Sequence, residues 1–322
     1  MAIGIGKNFA YSGIDGSILA YCRRKDIYLE KEEIDLTGPD GNGVVSIGPD
    51  CFNGFGNLKR VKLPITIKQI CDSAFYNCKK LEEINLSDDI TRIGEYAFCG
   101  TNLREFIVPP KVRQIERFIC CDCTAMEKIV LHDNIIKIGA SAFSNTKIKE
   151  MKLPSKLKEL CAHSFEYTNI EEIEIPQGVK ELQNWVFAST NLKKVVVPET
   201  VEKISPTAFH DCKKLEKIYI SEKTLEADVG KERKQNLIIY TSKKSTAYMH
   251  AKENGNQVVE VPSLNQVELI CKDDNSKLLE YALNKYNIED WFFDELFMKT
   301  AKEYKAENCL ELLKQWKKEK FN

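Results

Sequence analysis

Twelve cysteines and four histidines are the residues of this 322-residue chain most able to do chemistry. They are densest at Cys120, Cys121 and Cys123, with Cys99 upstream and His132 downstream. A structural zinc ion takes four Cys or His ligands, usually supplied as two spaced pairs. The C-C-x-C spacing does not supply two pairs, so no metal site is expected. The redox spacing C-x-x-C occurs only within Cys120-Cys121-Asp122-Cys123. A nucleophilic cysteine needs a base and an orienting group close by. The histidines, His132, His163, His210 and His250, are scattered along the chain and read as polar turn residues. Cys271 and Cys309 stand near the C-terminus with no motif around them. Acidic pairs such as Asp88-Asp89 and Glu171-Glu172 arise freely among 48 acidic residues and define no pocket. The segment GIGKNFAYSG at 4–13 is Gly-rich but lacks the G-x-x-x-x-G-K-[ST] phosphate-loop spacing. These residues predict neither an enzyme nor a cofactor.

Composition narrows the partners. Lys and Arg total 47 against 48 Asp and Glu, a formal charge of −1. A balanced chain has no global electrostatic reason to seek nucleic acid or an anionic membrane. No run approaches the roughly 18 apolar residues of a membrane helix. The start, MAIGIGKNFAYSG, has no long apolar run after a basic segment, so no signal peptide is expected and the chain reads as cytoplasmic. Reduced thiols fit that setting.

The element that must position all of these residues is a repeat. Apolar pairs two positions apart recur as Val61/Leu63, Ile84/Leu86, Phe106/Val108, Ile129/Leu131, Met151/Leu153, Ile173/Ile175, Val195/Val197 and Ile218/Ile220. Their second members step by 22 or 23 residues. A further apolar residue stands three positions before each pair, from Leu58 to Leu215, giving L-x-x-L-x-L. Alternation marks a strand with one buried face. A small residue and an aromatic follow later in the unit, as in Ala74-Phe75, Ala97-Phe98 and Ala142-Phe143; Phe118-Ile119 breaks this pattern. One unit cannot bury its apolar face alone, so the units must stack. The expected fold is a solenoid of about eight units over 44–220, with a parallel sheet on one face and a column of Phe rings opposite.

Segments such as ITRIGEYAFCGTNLREFIVP at 90–109 and IKIGASAFSNTKIKEMKLP at 136–154 resemble the BspA-like leucine-rich repeats of bacterial and protozoan proteins. The resemblance implies a non-enzymatic binding module, and adhesion for secreted members. It also covers the ends. Ile18–Tyr21 and Ile27–Leu29 read as an N-terminal hairpin within 1–43. Residues 221–262 read as a strand-helix-strand cap, with Ser245 as N-cap and Gly255 as C-cap. Beyond Pro262 the period becomes helical, and 263–322 reads as a small helical domain with a weak ankyrin-like flavour. Its three stripes are Leu278–Tyr286, Trp291–Tyr304 and Cys309–Trp316.

Polar strand positions separate register from binding. The residue after each opening apolar position alternates in sign: Lys59, Glu82, Arg104, Glu127, Lys149, Glu171, Lys193, Glu216. Neighbouring turns would pair these charges and resist slippage. The outward columns do not alternate, and apolar residues intrude at Ile107, Val130, Val196 and Tyr219. We therefore expect a protein partner on the outward strand face, contacted by Ile107, Val130, Glu150, Lys152, Glu172, Glu174, Lys194, Val196, Lys217 and Tyr219. The acidic residues between the apolar spots favour a partner whose basic residues are flanked by apolar ones. Competing expectations are a secreted adhesin, helices that cover this face or offer Trp291, Phe292 and Phe293 as the contact, and an enzyme built on Cys271 or Cys309.

Overall fold

The L-x-x-L-x-L segments form short strands with a buried centre and exposed flanks, as in Arg60–Lys62, Glu105–Ile107 and Lys128–Val130. A side-chain period of two imposes this pattern when one face meets the core. The computed structural model describes residues 9–12, 18–22, 29–38, 43–229, 237–286, 288–289 and 293–321. The chain is a parallel β-solenoid of about nine turns followed by helices. It divides into two compact units, Met1–Asn191 with Thr207–Lys213, and Leu192–Pro206 with Lys214–Asn322.

In the first unit the strands pair in the register the repeat dictates. Arg60 stands opposite Glu83, and Glu105, Phe106 and Ile107 stand opposite Lys128, Ile129 and Val130. The ladder starts one turn earlier than the 22–23-residue step indicates. Glu33–Asp35 pairs with Arg60–Lys62, placing Ile34 beside Val61, so this first step is longer than the others. The turns do not form one continuous sheet. Asn85 lends its side chain to the backbone of Leu63, accepting from N at 2.7 Å and donating to O at 2.9 Å. The ladder splits just beyond, between Glu83–Ile84 and Glu105–Ile107, and residues 150–153 carry no strand.

A second ladder accompanies the first. It is built of two-residue strands that bury one apolar residue each, among them Gln69–Ile70, Arg92–Ile93, Gln114–Ile115 and Lys137–Ile138. At its front Phe9–Ser12 pairs antiparallel with Ile18–Cys22, which pairs parallel with Ser46–Ile47. The expected strand residues Ile27 and Tyr28 lie outside the described residues, and Leu29 is in a turn. Between the ladders runs the Phe column. Phe52, Phe75 and Phe98 stack at 5.2 and 5.5 Å, and Phe143, Phe165, Phe187 and Phe209 at 5.6–5.9 Å. The gap in this column is filled by Cys120, with Ile119 in the small-residue position. Close stacking also dictates glycine at Gly139, where a Cβ would lie 2.6 Å from the Arg117 amide nitrogen.

In the second unit four strands run parallel: Lys194–Val197, Lys217–Ile220, Ile238–Thr241 and Gln257–Glu260. Helix α1 (Thr246–Glu253) crosses between the last two, with the Ser245 side chain accepting from the Tyr248 amide and Gly255 in left-handed conformation just past the cap. Then come α2 (Leu264–Lys272), α3 (Ser276–Lys285), a π-helical turn at Asp294–Met298 that runs into α4 (Lys299–Glu303), and α5 (Glu307–Phe321). Helix α2 lies outside the three expected stripes, although its capping box of Ser263 and Gln266 is written in the sequence.

The strand face and the thiol cluster

On the first unit, Ile107 and Val130 are directly opposite one another and remain 58% and 39% exposed. Large apolar residues exposed side by side on a strand face mark a surface that gains by being covered. A groove of about 680 Å³ adjoins them where the ladder splits, lined in part by Lys62, Glu83, Asp88, Ile107 and Pro109. Glu150, Lys152, Glu172 and Glu174 are exposed further along, on segments without regular pairing apart from a single bridge at Glu174. Glu105 is engaged by Lys128 at 2.5 Å.

On the second unit the outward positions differ, and this corrects the expected site. Tyr219 is only 4% exposed. It belongs to a core cluster with Tyr240, Leu283, Phe293, Phe297 and Leu313, against which Val196, Ile238 and Val259 also pack. Lys217 is tied at 2.5 Å to Glu289, which also accepts from the Tyr240 hydroxyl. Burial, followed by Glu289, raises the Tyr240 pKa. Helices from far along the chain therefore occupy this stretch of the face, and Val196, Lys217 and Tyr219 serve intramolecular packing. Lys194 stays exposed. Trp291 and Phe292 lie outside the described residues, and Phe293 is fully buried.

The expected charge column is held in register by backbone bonds. Glu82 N donates to Lys59 O, Glu127 N to Arg104 O and Glu216 N to Lys193 O. Lys59 also meets Glu32 at 2.8 Å, which extends the alternation by one turn. Other cross-turn ion pairs stand in neighbouring columns, such as Arg92–Asp72, Arg117–Glu95 and Lys137–Glu159.

Most thiols have packing roles. Cys78, Cys123 and Cys212 are buried and donate to the carbonyls of Phe52, Phe98 and Phe187 at 2.9–3.1 Å. In other turns Thr146, Thr168 and Thr190 occupy the same column and donate to Phe carbonyls. The column selects a small hydrogen-bond donor. In the helical segment Cys271 and Cys309 are buried, and burial pushes their pKa values to about 11 and about 12. An activated nucleophile needs the opposite shift.

One group stands apart. Cys99 and Cys121 occupy the same column on consecutive turns, and with Asp122 their ligand atoms all lie within 4.8 Å of one another. Tyr96 and Gly100, then Phe118 and Asp122, hold left-handed backbone on either side of the two cysteines. Bonds from Phe98 N to Ile119 O and Gly100 N to Cys121 O lock the two turns together. The hydrogen bond that the Cys99 thiol donates to Cys121, and then burial, hold the Cys99 thiol well above the usual thiol range. Burial does the same for Cys120. The structure thus selects a set that spacing alone did not. His132 contacts the Pro109 carbonyl instead, at 3.0 Å. His163 stacks on Trp185 and bonds Glu166 at 2.7 Å, and His210 packs on the other side of that indole.

Two ladders, a stacked Phe column and a repeat of 22–23 residues define a leucine-rich repeat solenoid. The profile of the BspA type Leucine rich repeat region matches residues 32–135 and 113–229 in six copies. That is more than half of the chain, and the protein belongs to this family. Repeat proteins of this kind are generally interaction or surface modules. Among solved structures, a leucine-rich repeat protein from Bacteroides ovatus ATCC 8483 is 21% identical, with a TM-score of 0.54. The alignment covers 81% of this chain and 75% of that one. A leucine-rich repeat protein from Eubacterium ventriosum ATCC 27560 is 17% identical over 81% of this chain and 84% of its own, with a TM-score of 0.44. No curated protein matches the chain. Among the described residues, no helix is long and apolar enough to cross a membrane.

Proposed function

We propose that this protein is a cytoplasmic, non-enzymatic scaffold that docks a segment of another protein on the outward strand face around Ile107 and Val130. The observation that carries the reading is this exposed apolar rung beside a groove. Exposed Glu150, Glu172 and Glu174 on the same unit add negative charge, so the segment has basic residues flanked by apolar ones. Cys78, Cys123 and Cys212 serve as buried hydrogen-bond donors, a use of thiols that suits a reducing compartment.

The test is affinity capture from the native host with the unmodified chain and with Ile107→Glu plus Val130→Glu. Both positions face solvent, so melting should be unchanged within about 0.5 kcal/mol of stability. The expected result is a partner that binds the double variant at least tenfold more weakly, about 1.4 kcal/mol. Cross-linking should place a basic, apolar-flanked segment at the rung. Equal recovery of the same proteins by both versions would refute the reading.

A further inference from the structure

The column that carries Cys99 and Cys121 is not restricted by the fold. Other turns place Tyr76, Ser144, Glu166, Ala188 and His210 there. Packing therefore does not explain two cysteines on consecutive turns. In the second of these turns the Phe column also gives up its ring for Cys120, whose thiol shares a hydrogen bond with Cys123. Cys99 is buried, Cys121 half-buried and Asp122 exposed, so the trio runs from the core edge to solvent. Asp122 is steadied from the next turn, where Asn145 Nδ2 donates to its Oδ1 at 2.8 Å. Metal-ligating carboxylates are commonly oriented by such a neighbour.

We propose that Cys99, Cys121 and Asp122 form a binding site for a thiophilic divalent metal ion of the zinc–cadmium class. Two thiolates and one carboxylate supply three corners of a tetrahedron, and a water completes it on the exposed side. Tetrahedral zinc with bonds of about 2.3 Å to sulfur sets its two sulfurs about 3.8 Å apart. Donor atoms within 4.8 Å need only side-chain rotation to reach that spacing. Two sulfur ligands select against calcium and magnesium, which take oxygen ligands. Loading displaces the two thiol protons to solvent, so each Cys–metal bond replaces an S–H bond with no change of oxidation state.

The experiment uses the full chain, kept reduced with a phosphine, and Co²⁺ as the probe. Expected are a single Co²⁺ per chain and a sulfur-to-cobalt charge-transfer band of two-thiolate intensity. Cys99→Ser and Cys121→Ser should each halve that band and weaken binding about tenfold or more, the loss usual for a damaged metal site. Asp122→Asn should weaken binding with the band retained, and Cys71→Ser should change nothing. A Co²⁺ complex without the band, or a band that survives both Cys99→Ser and Cys121→Ser, overturns the proposal. X-ray absorption on the Cd²⁺-loaded, unmodified chain gives a reading that does not depend on how the variants fold. Two sulfur neighbours support the site, whereas none, or four from the recruitment of Cys120 and Cys123, overturns it.

Discussion

At the scale of single residues, the turns tolerate exchange only where volume and hydrogen bonding are kept. Thr and Cys stand in for one another in the column behind the Phe rings because both donate to a Phe carbonyl. Volume is conserved differently beside Phe98. There the column loses a ring to Cys120, while the strand position filled by Val, Ile or Met in other turns holds Phe106, whose ring centre is 5.5 Å from that of Phe98. Both are fully buried or nearly so. The two departures should be energetically coupled. Phe106→Leu alone should cost about 1–2 kcal/mol through an unfilled space, and Cys120→Phe alone about 1–3 kcal/mol through overpacking. The double variant should recover about 1 kcal/mol of the summed loss in chemical denaturation. Strict additivity would show that Phe106 does not compensate for Cys120. In the sequence Phe118-Ile119 reads only as a break in the pattern at this turn, because the column position itself is Cys120 and its small neighbour is Ile119. The ring that would settle the register is the one that is missing.

At the scale of elements, legibility followed length and locality. The L-x-x-L-x-L strands were readable because each carries three apolar positions. The second ladder was legible only as a recurring apolar pair such as Ile90/Ile93 and not as strands, since two-residue strands such as Arg92–Ile93 bury one residue each and show no alternation. Glu33–Asp35 was hidden by the longer first step. The apolar rung Ile107/Val130 was legible as outward-facing, and so was Val196/Tyr219. Only the first is exposed, because the cover over Tyr219 comes from residues as distant as Phe293 and Leu313. Strand alternation reports which face a side chain takes, not what later elements lay upon that face. The contrast is measurable. Tyr219→Glu would bury a carboxylate without a partner and should destabilise its unit by more than about 3 kcal/mol, while Val130→Glu should change stability by less than about 0.5 kcal/mol. Equal melting temperatures for the two variants would mean that the helices do not cover Tyr219 in solution. Glu289→Gln should lower the melting temperature in the same direction as Tyr219→Glu but by less, since Lys217 and the Tyr240 hydroxyl lose a charged partner on a half-exposed edge.

At the scale of the whole molecule, a near-neutral chain spends its charges locally. With 47 basic and 48 acidic residues the long-range field is small, and ion pairs link one turn to the next. The pKa values record this. Hydrogen bonds and charge from Lys59 lower the Glu32 carboxyl, those from Lys62 and Arg60 lower Glu33, and Lys111 lowers Asp89. Hydrogen bonds from Ser155 lower Asp133, and those from Cys309 and Asn308 lower Asp274. A carboxyl whose folded pKa lies below its unfolded value adds stability at pH above the unfolded value, and loses it as pH falls through the folded one. Lysines behave in the opposite sense. Glu33 raises Lys62 and Glu159 raises Lys137, so their contributions are present below the ordinary lysine value and fade as pH rises through the folded one. The melting temperature should therefore be flat from about pH 5 to about pH 7.5 and fall below about pH 4, where carboxylates with ordinary values near 4 begin to take up protons; it should fall again above about pH 8, where thiols of the unfolded chain ionise while buried ones such as Cys78, Cys271 and Cys309 stay protonated. Because these groups are exposed, added salt should lower the plateau slightly and flatten the acid limb, as screening removes the pairs that acid would otherwise break. Circular dichroism melts across this range, at low and at high salt, provide the measurement. A melting temperature that holds or rises between pH 5 and pH 3 would show that the cross-turn pairs contribute nothing to holding the stack.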